Sequence, residues 1–492
     1  MGHNLGGIVG AGAMNVLLVY ANQSRDLLPP PPVGLAYVAE ATRRAGHRVT
    51  FVDLLASRRP AVTLRQAVRA ANPDVVGVSI RSLDNVVAQR PESHVASVAA
   101  NLAVIREETK APIVLGGPAV SIVGGEALRF LDADFAVVGE GEESFPRLLA
   151  ALEQGSEPTG VAGVCRRDGG RVVATPPVRL PAFSSSGLER WVSWGFYDRY
   201  GATWPIQSKR GCALSCAYCA YPRIEGVCHR LREPAEVAEE IARVAREVGP
   251  RTFEIVDSTF NVPESHARAL CEAILARRLA VRLTATTVNP LAVSRELFDL
   301  MKRAGFRSMM VTPEAASDAT LAGLDKGFGR DQVVRTAELV RESGLPSAWF
   351  FLLGGPGETE QTAEETVSFI EEYLAFPGTL VIVTTGVRIL PGTALARRAV
   401  AEGVVAADAS LLEPTFYVSP LVSERWLLER VNRAIRRHPH VVHTAEEGGG
   451  PTGGAFERTL SALGLAPPYW RFLPYLLALP PLRAVRGRSL RF

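Results

Sequence analysis

The sequence predicts an α/β protein: two parallel-sheet units in series, followed by a smaller, mainly helical segment. Two observations carry this. Short apolar runs of the kind that form buried strands alternate with helix-length stretches over residues 15–155 and again over 206–400. Glycine pairs and polar residues gather directly after those runs, at the carboxyl ends of the expected strands, where parallel sheets place their ligands. A chain of 492 residues has room for two or three domains. The expected division is a flexible leader over 1–14, a first domain over 15–155, a linker over 156–205, a barrel over 206–400 and a cap over 401–492.

Composition narrows the class. Hydrophobic residues make up 47% of the chain, enough for a large core, and a net charge of +3 offers no argument for nucleic acid as a partner. Of six cysteines, three share one loop, while Cys165, Cys228 and Cys271 are scattered. That usage suits a reducing cytoplasm, not a disulfide scaffold. No apolar run reaches the length of a membrane span. The glycine-rich stretch 6–12 follows no strand, so it reads as leader, or as sequence upstream of a start at Met14, not as a phosphate loop.

In the first unit, Asn15–Tyr20 is a short apolar run typical of a buried parallel strand. A proline-rich loop, 29–32, leads into a helix over 34–45 that Gly46 ends. Strands are expected at 47–53, 73–80, 111–115 and 134–138, with helices between them: a doubly wound parallel sheet. The third strand runs into Ser79, Arg81, Leu83 and Asn85, the fourth into Gly116 and Gly117, the fifth into Gly139, Glu140 and Gly141. Paired glycines let a bulky ligand approach the backbone. Residues 154–205 have turn signals and an aromatic cluster (Trp191, Trp194, Phe196, Tyr197, Tyr200, Trp204) that reads as interdomain packing.

The second unit opens at 206–209 and enters a loop with Cys212, Cys216 and Cys219, spaced C-x-x-x-C-x-x-C, with Tyr218 before the last. Thiolates are the usual ligands of iron–sulfur clusters. Three ligands leave one iron of a four-iron cluster open to a small molecule. A zinc knuckle is the competing reading, with Cys228 or His229 as fourth ligand. Further strands are expected at 251–257, 281–286, 307–312, Ser347–Leu353 and 380–384, six in all. Asp257 and Ser258 end the second, Glu314 and Ser317 follow the fourth, Gly354 and Gly355 the fifth, and Arg388 the sixth.

The cysteine spacing with its aromatic, and these segments in order behind it, resemble the radical S-adenosylmethionine (radical SAM) enzymes, whose core is a partial (β/α)6 barrel. The first unit is similar to the cobalamin-binding domains that precede many such barrels. The resemblance implies a 4Fe-4S cluster on Cys212, Cys216 and Cys219, and SAM held by Tyr218, Asp257, Ser258, Glu314, Ser317, Gly354 and Gly355. It implies cobalamin against Ser79, Arg81, Leu83, Asn85, Gly116, Gly117, Gly139, Glu140 and Gly141. Lys326 and Arg388 are offered as substrate contacts, with a surface ion pair as the alternative; no catalytic residue is named. Many cobalamin domains carry Asp-x-His-x-x-Gly after the first strand. Here that loop has no histidine, and the domain's only histidines are His47 and His94. No histidine ligand to cobalt is therefore expected, and Arg81, Leu83 and Asn85 are placed below the corrin.

The C-terminal segment is expected to cap the barrel mouth. His438, His440 and His443 read as a polar loop, since no carboxylate or cysteine pattern completes a metal site. The tail 467–492 mixes aromatics with arginines and suits an anionic membrane surface, but prolines 474, 480 and 481 break a long amphipathic helix. The implied activity is methylation of an unactivated carbon through a 5′-deoxyadenosyl radical and methylcobalamin. Cyclisation or rearrangement with the same cofactors is the alternative, and a cobalamin or redox sensor the non-enzymatic one. The implied partners are a small-molecule, lipid or peptide substrate and an electron donor of flavodoxin or ferredoxin type.

Overall fold

The computed structural model describes residues 12–23, 29–447 and 455–478. The first eleven leader residues, the glycine run 448–454 and the tail arginines Arg483, Arg486, Arg488 and Arg491 lie outside them. Among the described residues no helix is long and apolar enough to cross a membrane.

The first sheet holds β1 (Asn15–Tyr20), β2 (Arg48–Asp53), β3 (Val75–Ser79), β4 (Ile113–Gly116), β5 (Phe135–Val137), β6 (Val164–Asp168) and β7 (Arg171–Ala174), in the order 2-1-3-4-5-6-7. The first five are parallel, the arrangement expected, because each is joined to the next through a helix. β6 and β7 are antiparallel additions. They correct the expected linker: residues 164–174 extend the first sheet. β1 and β3 are buried almost throughout, with helices over both faces, which is why they read as continuous apolar runs.

A bridging stretch follows. Trp191 stacks on Phe51 of β2 at 5.9 Å, and Trp194 meets Trp204 edge-on at 4.9 Å. The Tyr197 hydroxyl donates to Asp53 at 2.6 Å. Trp204 lies in β8 (Trp204–Ile206), the first strand of the second sheet, so this cluster is the interdomain packing its composition suggested.

β9 (Lys209–Arg210) and β10 (Arg230–Leu231) form a small antiparallel pair that brackets the cysteine loop. The second sheet continues with β11 (Phe253–Ile255), β12 (Leu283–Val288), β13 (Phe306–Glu314), β14 (Ser347–Leu353) and β15 (Thr379–Thr385). Beyond it come the paired β16 (Val387–Arg388) and β17 (Phe416–Tyr417), then β18 (Val441–His443). The sheet order is 18-15-14-13-12-11-8, all parallel. Six strands were expected; the seventh, β18, comes from the segment taken for a mainly helical cap. Its carrier helix, Glu424–Arg437, is fixed by Arg430, which donates to Glu364 at 2.7 Å and Glu371 at 3.1 Å. His443 is buried in β18 with Nε2 3.1 Å from the Thr385 hydroxyl, so it is core and not loop.

The C-terminal segment divides. Residues around 411–418 reach the barrel mouth: Leu411 accepts from Arg388, and Val418 packs over Gly354 and Gly386. Residues 465–478 lie at the opposite end. Pro467 accepts from Thr252, just before β11, and Tyr475 approaches Gly378, just before β15. Among the described residues the segment thus serves both ends of the barrel, where a cap on the mouth alone was expected. Trp470, Leu473 and Leu477 pack on the core beside Ala348 and Leu380, a use of the tail's apolar residues inside the fold.

Candidate active site

The cysteine loop is held from both ends. Asp257, at the end of β11, is buried and accepts from the Ser208 amide at 2.7 Å, the Ser208 hydroxyl at 2.5 Å and the Lys209 amide at 3.2 Å. Burial pushes its carboxyl up, while Lys209 and these donors pull it down. Ser258 donates to the Gly211 carbonyl at 2.8 Å. Both residues were expected to contact SAM; in the structure both anchor the strand entering the loop. Lys209 has no exposed surface, and burial lowers its ammonium to about 8. On the far side the Ala217 amide donates to the Leu324 carbonyl at 2.9 Å, and the Ala217 carbonyl accepts from Leu395 at 2.8 Å.

Within the loop Cys212 is buried, and Cys216 and Cys219 are half-buried. Burial raises both of the latter, Cys219 to about 12, and each feels the charge of neighbouring loop thiols. Cys228 is exposed. His229 directs Nδ1 at the Gly211 carbonyl, 3.1 Å away. Among the described residues no three His, Cys, Asp or Glu side chains are placed to hold a single metal ion.

Facing the loop, Glu314 ends β13 with φ +69°, a strained backbone for a non-glycine residue. Its carboxylate accepts from the Tyr218 hydroxyl at 3.1 Å, and burial pushes its carboxyl up. Ser317 is buried with its hydroxyl unpartnered, a polar atom left for a ligand. After β14, the Gly354 amide donates to Glu358. Glu358 has no exposed surface, so its carboxyl is the clamp of the Gly354–Gly355 turn.

The two residues offered as substrate contacts are both occupied inside the fold. Arg388 is buried, donating to Asp84 at 2.7 Å and to the carbonyls of Ile389, Thr415 and Leu411. Lys326 is 2% exposed and donates to the Thr312 carbonyl at 3.2 Å. Neither is a surface ion pair.

On the first sheet a cavity of about 130 Å³ opens at the carboxyl ends of β1 and β3, lined by Asn22, Gln23, Arg81, Ser82, Glu92 and His94 among others. This is the switch point of the 2-1-3-4-5 order. Arg81 is exposed there, and its charge reaches Tyr221, two residues past Cys219. A Cβ on Gly116 would meet open space. At Gly117, with φ +97°, it would lie 2.6 Å from the Ile80 carbonyl and 2.9 Å from the Ser79 hydroxyl. The other residues expected to contact cobalamin have partners within the protein. Leu83 is in the apolar core. Asn85 staples its own loop, donating to Arg90 at 2.8 Å and accepting from Glu92 at 3.1 Å. Gly139 is crowded by Arg179 and Pro177, and Gly141 by Val38. Glu140 is buried and accepts from Arg230 at 2.9 Å and the Leu180 amide at 2.9 Å. That loop therefore grips the cysteine hairpin. His94 holds Ser82 through Nδ1 at 3.0 Å, with Nε2 buried.

Sequence reasoning missed Asp84, Arg210 and Arg230. Arg210 lies between the rings of Tyr37 and Phe183, at 4.4 and 4.3 Å, and pairs with Glu142 at 2.6 Å. No local signal marks such residues, since their partners are far away in the chain.

The family model described as the radical SAM superfamily matches residues 206–370, and that described as the B12-binding domain matches residues 27–149. The chain belongs to the cobalamin-dependent radical SAM enzymes. Its cofactors are a 4Fe-4S cluster, SAM and cobalamin. Three loop thiols, an orphan serine hydroxyl at a strand end, and an open glycine beside a polar cavity are a donor set and cradle that fit them. An uncharacterized methyltransferase of Pyrococcus horikoshii is 26% identical over 386 residues, 76% of this chain and 80% of that one. The anaerobic magnesium-protoporphyrin IX monomethyl ester cyclase of Rubrivivax gelatinosus is 25% identical over 359 residues, 70% of this chain and 62% of the cyclase. The solved structure of the radical SAM methyltransferase TsrM from Kitasatospora setae, with cobalamin and its cluster bound, matches at TM-score 0.81 and 23% identity. The match covers 97% of this chain and 99% of that one, a shared fold. The same protein has been solved with tryptophan substrate and a SAM analogue, aza-SAM. Membership of an enzyme family sets aside the sensor reading.

Proposed function

We propose that this enzyme methylates an unactivated carbon of a small organic substrate. One observation carries the reading: the loop after β3 lies across the carboxyl ends of the barrel strands. Gln89 donates to the Thr385 carbonyl at 3.1 Å, Ala88 packs on Gly386, and Asp84 holds Arg388. A methyl carrier on the first sheet and a radical source on the cysteine loop would then sit on domains joined at this face, the arrangement that transfer to one carbon requires. When bound, the cluster with SAM supplies a carbon radical and cobalamin supplies the methyl group. The chain's residues position these partners. Asp257 and Ser258 fix the loop, Glu358 fixes the glycine turn, Glu314 and Ser317 face the ligand, and residues 411–418 close the mouth against water. The electron is supplied from outside, by a one-electron donor of flavodoxin or ferredoxin type.

The methyltransferase relative supports methyl transfer. The cyclase relative supports a second reading, ring closure with the same cofactors. Reconstituted enzyme is incubated with methyl-labelled SAM, dithionite and a small-molecule extract of the source cells. Label in a carbon-bound methyl, with S-adenosylhomocysteine, is expected. 5′-Deoxyadenosine without label transfer favours cyclisation, and neither product refutes both readings.

A further inference from the structure

Lys326 is an ammonium buried against the cysteine loop. Its Nζ is 3.4 Å from the Tyr218 hydroxyl and 5.7 Å from the ring centroids of both Tyr218 and Phe328. Tyr218 lies between Cys216 and Cys219, so the charge sits beside the two thiols. Backbone holds the distance. The Lys326 amide donates to Leu321 at 3.1 Å, and the same turn receives the Ala217 amide on Leu324. A side chain 2% exposed on such a turn has little freedom to move away.

Burying an ammonium is costly unless opposite charge answers it. Among the described residues one carboxylate lies within ion-pair reach, Glu314 at 3.9 Å, and it is shared with the Tyr218 hydroxyl. The remaining neighbours are a carbonyl, a phenol and two ring faces, which ease the burial without cancelling the charge. A positive field is left, aimed at the loop. Net charge around an iron–sulfur cluster is one of the protein's means of setting its reduction potential. Adding an electron makes the cluster more negative, and a nearby cation favours that state.

We propose that Lys326 is the counter-charge of the cluster, raising its reduction potential before SAM binds. The step it favours is uptake of one electron from a low-potential one-electron donor, with no bond made or broken. The inference rests on the loop holding a cluster. It is independent of whether the product is methylated or cyclised.

The test is a redox titration of the SAM-free, reconstituted full-length protein at pH 8.5, followed by paramagnetic resonance, with iron measured alongside. Lys326→Met and Lys326→Gln are expected to keep their iron and show a more negative midpoint, and Lys326→Arg to return it toward wild type. Glu314→Gln, which removes the opposing charge, is expected to move the midpoint the other way; it keeps the test open if the neutral variants at 326 do not fold. Midpoints unmoved in the iron-loaded variants overturn the proposal. So does a loss of SAM affinity in Lys326→Met at an unchanged midpoint, which would make Lys326 a SAM contact only. Wild-type protein that takes up no iron overturns this proposal and the cluster assignment together.

Discussion

Glu358 shows how one buried acid can hold a functional turn at a cost in stability. Burial raises its carboxyl from the ordinary 4.5 to about 7, while the amides of Gly354 and Gly355 and the Thr320 hydroxyl oppose the rise. The folded protein therefore holds this proton more tightly than the unfolded chain. Stability from this group is fully present below about pH 4.5 and is lost as the pH rises to about 7. The span corresponds to at most about 3 kcal/mol. Glu358→Gln keeps an acceptor for the Gly354 amide and removes the titration. The variant is expected to melt higher than wild type at pH 8, with the difference shrinking toward pH 5; thermal melts at the two pH values check this. At this scale the cysteines were legible, because their three thiols and Tyr218 fall within eight residues of one another and need no fold to be brought together. Asp257 and Glu140 were assigned to ligands because polar groups at strand ends read as contacts. In the fold they bond to partners 49 and 90 residues away.

At the scale of elements, the cysteine loop depends on a close backbone approach. Gly211 has φ +84°, and a Cβ there would press directly on the Cys228 carbonyl. Gly211→Ala is expected to displace the β9–β10 pair and reduce iron uptake severalfold on reconstitution. Cys228→Ala, which leaves that backbone untouched, is expected to load iron as wild type does. Equal loading in both variants would remove the role given to this approach. The strands divide by the strength of their pattern. β1 and β14 have the bounds expected, because an apolar run buried on both faces has no competing local structure. β6 and β7 were read as linker, since Arg166, Arg167 and Asp168 break the apolar run. The Gly169–Gly170 pair between them is a two-residue hairpin signal that could have found them. β18 is only three residues long, too short for any period to show.

Across the whole molecule, the domains are joined by buried ion pairs as well as by the tryptophan cluster. Arg388 and Asp84 expose 5% and 1% of their side chains. Arg388→Met leaves Asp84 buried without its partner, which costs about 3–5 kcal/mol. The variant is expected to melt well below wild type and to bind cobalamin more weakly, since the loop after β3 is released. Adding Asp84→Asn to Arg388→Met is expected to recover part of the loss, as the buried charge is gone. Melting of the two single variants and the double variant gives the coupling; additive losses would show that the pair does not join the domains. The grip of Glu140 and Glu142 on Arg230 and Arg210 belongs to the same scale: the first domain holds the hairpin that carries the cluster.

The sequence by itself determined the class of both sheets, the cluster loop and the order of the strand-end segments. Each of these is written in local pattern: apolar period, thiol spacing, glycine after a run. Only the tertiary structure decided which polar residues remain free for ligands. Asp257, Glu140, Asn85 and Arg388 look no different in the sequence from Ser317 or Arg81. They differ because a buried charge or amide must find a partner, and whether the fold brings one depends on chain segments tens to hundreds of residues away.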